Sequence, residues 1–163
     1  MATDDIHIVR LPALRVASAY GFGFQPEEHA WNQLVQWAQP KGLLGDFEAH
    51  PIFGFNNPYP TPESPKYGYV FWIGVDQTVE PEGTIRIEEF FGGSYAVSRC
   101  EVNGDPGGRI PAKWKTLAEW CKLNHYTMGK HPALEQFLSR PDDIEHLVLN
   151  LYCPILEREA ALA

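Results

Sequence analysis

Glu135 stands inside a short apolar run, Ala133-Leu134-Glu135-Gln136-Phe137-Leu138, which reads as a strand. A carboxylate in that setting is costly to bury without a partner. Left unpaired it attracts a cation; with its pKa raised by desolvation it can act as general acid or base. The plain alternative is a strand residue turned to solvent. Large rings supply the surroundings that chemistry needs. Tyr69, Phe71 and Trp72 lie on a predicted strand over 67–75, and Phe137 and Tyr152 come late in the chain. Alternation puts Tyr69 and Phe71 on one face of their strand and Trp72 on the other. Rings around one acid would hold flat, lipophilic or cationic molecules by apolar burial and cation–π attraction. In an enzyme the same acid would activate water or protonate a leaving group. Tyr69 or Tyr152 would then donate a hydrogen bond to the developing charge. For each ring, ordinary core packing is the competing explanation.

Other chemistries find little support. The six histidines have no metal-ligand spacing, and no metal or cofactor is expected. There is no G-x-S-x-G, no P-loop and no Cys-His pairing, and Gly21-Phe22-Gly23 lacks the third glycine of a dinucleotide fingerprint. Three cysteines (Cys100, Cys121, Cys153) without a C-x-x-C suggest neither a disulfide frame nor a zinc site. They fit a reducing cytoplasm.

The elements that would position Glu135 occur twice. Trp31-x-x-Leu34-x-x-Trp37 returns 83 residues later as Trp114-x-x-Leu117-x-x-Trp120, and Tyr69 and Tyr152 share that offset. The chain reads as two β-α-β-β units, about 5–79 and 84–156, joined at Glu80-Pro81-Glu82-Gly83. In the first, a long strand region from Ile6 to Phe24 is broken at Pro12. A helix follows, opened by Pro26-Glu27-Glu28 and stopped by Pro40 and Gly42. In the second, Thr84 to Val102 is kinked at Gly92-Gly93, Asn103 to Gly108 is a turn, and the helix starts near Pro111 and ends between Tyr126 and Gly129. His50-Pro51 and His131-Pro132 each introduce the strands that follow. The four-proline stretch from Asn56 to Pro65 is a structured loop, and the tail from Leu156 frays or forms a short helix. The four repeat tryptophans mark the buried stripes of the helices. The fold class is α+β with antiparallel sheets, pseudo-twofold symmetry, both helices on one face, and the opposite face around a central groove.

The totals bound the function. A length of 163 residues fits one domain, 1–163, with a substantial core. Thirteen basic against 21 acidic side chains, a net charge of −8, argue against direct nucleic-acid binding and favour neutral or cationic partners. The acidic start, Met1-Ala-Thr-Asp-Asp, carries no apolar signal region, and no apolar run is long enough for a membrane helix.

The duplicated unit, the segment Ile52-Phe53-Gly54-Phe55-Asn56-Asn57-Pro58 leading to Tyr67-Gly68-Tyr69-Val70-Phe71-Trp72-Ile73, and the late Leu134-Glu135-Gln136-Phe137 together resemble the GyrI-like domain. That domain is the effector-binding part of some AraC- and MerR-type regulators, and the similarity spans about residues 5–156. The resemblance implies a small-molecule cleft in which Glu135 faces cationic lipophiles, with Tyr152 on the last strand and Tyr69 and Trp72 on its counterpart. Some stand-alone members are similar to hydrolases of reactive cyclopropane-bearing compounds, an alternative that would use the same glutamate. A third expectation is a protein-interaction module, as in inhibition of DNA gyrase. No helix-turn-helix precedes the domain, so direct transcriptional control is not expected. Gln136 departs from the less polar residue that the pattern leads one to expect.

Overall fold

The computed structural model describes residues 6–157; most of the tail expected to fray or form a helix lies outside them. The first strand region is two strands, β1 (His7–Leu11) and β2 (Leu14–Gly23). They part at Pro12, whose missing N–H cannot serve a ladder. The matching region divides into β5 (Arg86–Phe90) and β6 (Gly93–Glu101) at Gly92. Gly92 has φ 78° and lies against the first break: a Cβ there would come within 2.8 Å of the Pro12 carbonyl carbon. Glycine is therefore required for two reasons at once.

Helix α1 (Pro26–Ala38) begins with Pro26, carries Glu27 and Glu28 in its first turn, and buries Ala30, Trp31, Leu34 and Trp37. Strands β3 (Ile52–Asn56) and β4 (Tyr67–Gly74) follow. Helix α2 spans Pro106–Leu123, so it starts well before Pro111 and stops short of Tyr126. The reason is a cap. Asp105 Oδ1 accepts the Gly108 N–H at 3.1 Å, and Pro106 takes the first helical position, where no N–H is missed. The Asp-Pro-Gly-Gly run that reads as a turn is thus the helix start, and Pro111 sits inside the helix. Strands β7 (Leu134–Phe137) and β8 (Val148–Pro154) complete the chain.

All eight strands form one antiparallel sheet in the order β1-β6-β8-β7-β3-β4-β2-β5. The β3–β7 pair joins the two halves, with Ile52 opposite Phe137 and Gly54 opposite Glu135. Outward from that pair, β8 and β4 come next on either side, then β6 and β2. Both helices lie on one face. There α1 rests on β2 and β4, and α2 rests on β6 and β8, leaving the β3–β7 seam between them. Leu34, Ile73, Leu117, Leu149 and Leu151 form the core beneath the helices.

The other face covers itself. The sheet curls until the Phe53 ring on β3 comes within 6.4 Å of Phe90 on the edge strand β5. Trp72, Tyr95 and Tyr152 complete this second core. The groove expected on this face is therefore filled by its own rings.

Candidate ligand-binding site

The space that Glu135 borders lies on the helix-bearing face, over the seam that neither helix covers. A cavity of about 750 Å³ opens between α1 and α2, lined by Trp31, Tyr69, Phe71, Glu135, Phe137 and Leu149 among others. A second space of about 510 Å³ adjoins it and shares Glu27, Tyr67, Pro111 and Glu135. Both volumes fall in the range of small-molecule sites. Ring contacts build the wall: Trp31 lies 5.3 Å from Phe71, and Phe71 lies 5.1 Å from Tyr69 and 5.2 Å from Phe137.

Glu135, in the lining of both spaces, is held from two elements. Its Oε1 accepts the Tyr69 hydroxyl at 2.5 Å, and its Oε2 accepts the Trp114 Nε1–H at 3.3 Å. Tyr69 reaches it across Gly54, the residue paired with Glu135 in the ladder. Burial raises the Glu135 pKa; the two donors pull against that rise, and the nearby Glu27 adds to it. Burial and the Glu135 charge likewise hold the Tyr69 hydroxyl well above its usual range, so it stays a donor. Glu27 has its own tyrosine: the Tyr67 hydroxyl lies 2.8 Å from both of its carboxylate oxygens. Burial and that bond push Tyr67 up to about 12. Among the described residues lining the two spaces there is no Lys, Arg or His. The walls are mostly apolar rings, and the polar lining combines the carboxylates Glu27, Glu28, Glu135 and Asp142 with the amides of Asn32 and Asn56. Among the described residues, no cluster of His, Cys, Asp or Glu has the makings of a metal site.

The candidate residues divide between the two faces. Glu135, Tyr69, Phe71 and Phe137 meet in the cavity. Tyr152 and Trp72 do not: they lie in the opposite core, where Tyr152 donates to Gln136 Oε1 at 2.7 Å and Trp72 Nε1 donates to Glu88 at 3.2 Å. The cause is register. Glu135 pairs with Leu151, so the neighbouring Leu134–Tyr152 pair faces the other way. Gln136, out of keeping with an apolar cleft floor, is Tyr152's partner on that far face. Tyr152→Phe should therefore leave the affinity for a cavity ligand within about twofold of wild type, measured by titration. A tenfold loss would contradict this placement.

Glu27 and Tyr67 were not among the candidates, and Trp114, expected in a buried helix stripe, is instead half-buried and donates to Glu135 in the cavity lining. Trp114 carried a usable signal, because it and Trp31 hold the same place in the repeated tryptophan motif and both line the cavity system.

Relatives known from structure share this architecture. The C-terminal domain of EcmrR matches with a TM-score of 0.68 at 13% identity, over 94% of this chain and 98% of that domain. EcmrR in a DNA complex matches over 92% of this chain, which spans 56% of the EcmrR chain. SAV2435 bound to tetraphenylphosphonium matches with a TM-score of 0.57 at 13% identity, over 93% of each chain. A hydrolase from Listeria innocua matches with a TM-score of 0.64 at 9% identity, over 93% of this chain and 92% of its own. No curated protein sequence matches. Identities this low speak to fold alone, but the GyrI-like small molecule binding domain pattern matches residues 4–156 directly. The chain belongs to the GyrI-like family of small-molecule-binding domains.

Proposed function

We propose that this protein binds lipophilic aromatic cations between its two helices, with Glu135 as the charged anchor. The observation that carries the reading is a carboxylate held by Tyr69 and Trp114 in a ring-lined cavity whose described lining has no basic side chain. Coulomb attraction in such a partly desolvated site is much stronger than in water. The Trp31, Tyr69 and Phe71 faces add apolar burial and cation–π attraction, the latter roughly 0.5–2 kcal/mol per contact. That SAV2435 shares the fold and holds tetraphenylphosphonium supports the ligand class. Tetraphenylphosphonium should quench tryptophan fluorescence saturably. Triphenylphosphine oxide, a neutral molecule with similar rings, should bind at least about tenfold more weakly, or ~1.4 kcal/mol. Equal affinities would contradict the role of charge.

A second reading uses the same cavity. The Tyr69 hydroxyl touches a carboxylate whose pKa burial raises, the pairing a general acid or base with an oriented donor would need. Turnover of an electrophilic lipophile, lost in Glu135→Gln, would favour hydrolysis; recovery of unchanged ligand favours binding alone.

A further inference from the structure

The cavity has two acidic anchors, each served by a tyrosine from the same strand. Tyr67 and Tyr69 are two residues apart on β4, so both project toward the helix face. Tyr67 holds Glu27 from α1, and Tyr69 holds Glu135 from β7. Glu27 and Glu135 both line the main cavity and the adjoining one. The rise of an antiparallel strand sets the two tyrosine attachment points roughly 7 Å apart. Each carboxylate retains free acceptor positions, since an ionised carboxylate offers about four. Nothing basic in the described lining neutralises either one. Rings line the same cavity, Tyr69 and Phe71 from the sheet and Trp31 from α1.

We propose that the preferred ligand is a compact aromatic dication, with one cationic centre against Glu135 and the second against Glu27. This rests on the reading that Glu135 anchors a cation, and goes beyond it by giving Glu27 a binding role and the ligand a second charge. A monocation leaves one of two neighbouring carboxylates uncompensated. A dication of matching length discharges both in one binding event, whereas one much longer than the spacing reaches only one anchor.

Two flat probes of nearly equal size separate the possibilities. Methyl viologen carries two cationic nitrogens about as far apart as alternate strand residues, roughly 7 Å; 1-methyl-4-phenylpyridinium carries one. Titration of the full chain, followed by tryptophan fluorescence and calorimetry, should give at least tenfold tighter binding of the dication. Decamethonium, with its charges far apart, should gain no such advantage. Glu27→Gln should bring the dication-to-monocation affinity ratio close to one, and Tyr67→Phe, which frees the Glu27 carboxylate, should lower it partway. A ratio near one in the wild-type protein would overturn the proposal whatever the variants do. So would a large ratio that survives Glu27→Gln. Binding of the monocation that depends on Glu135, without a dication advantage, sinks this inference and leaves the single-anchor reading standing. If neither cation binds, both fall together.

Discussion

Gly54→Ala should cost about 1–3 kcal/mol of stability, the range for overpacking a close-packed core, and at least tenfold in cation affinity. Gly54 faces Glu135 across the central strand pair, and Tyr69 lies over it to reach that carboxylate. A methyl group at Gly54 would sit 2.6 Å from Tyr69 Cε2 and closer still to the hydroxyl. Tyr69 is 2% exposed, with its ring against Phe71, so it has little room to retreat. The substitution therefore moves the donor that fixes Glu135 and narrows the cavity in the same stroke. Denaturant melts measure the first effect and titration the second. Stability and affinity both close to wild type would show that Tyr69 moves freely, and the anchored-carboxylate account would be wrong.

Glu135→Gln should strengthen the fold while weakening cation binding. Burial raises the Glu135 pKa in the folded protein. The native state then holds its proton more tightly than the unfolded chain does. Stability from this group is fully present below the unfolded pKa and is lost as pH rises through the folded one. Glutamine keeps the shape and carries no charge to desolvate; its one amide oxygen can accept from Trp114 while its NH2 donates to the Tyr69 hydroxyl. The variant should melt higher than wild type at neutral pH, with the gap closing as pH falls toward the ordinary glutamate range. A variant that melts lower at neutral pH would mean that the ionised carboxylate is a net stabilising element.

The parts of this molecule legible in its sequence are those written in periodicity and punctuation. The tryptophan spacing locates both helices, Pro12 and Gly92-Gly93 mark the strand breaks, and the polar interruption at Glu135 picks out a residue that lines the cavity. What stayed hidden depends on register. The 83-residue offset holds for the helices, but counted from His50-Pro51 and His131-Pro132, Asn56 and Phe137 are equivalent, and they pair with Tyr69 and Leu149. Tyr152 is an odd number of residues past Leu149, and one odd step moves a side chain to the far face. Glu27 was hidden for another reason: an acid in the first turn of a helix is already explained by the helix dipole. Only Tyr67, arriving from a distant strand, turns it toward the cavity.

An ionised Glu135 as the anchor makes the affinity for tetraphenylphosphonium depend on pH. In the wild-type protein, affinity should rise with pH through the Glu135 pKa, by up to about tenfold per pH unit on the acid side, and then level off. Glu135→Gln should give a flat line lying at least tenfold below the wild-type plateau. Superimposable profiles for the two proteins would contradict the account.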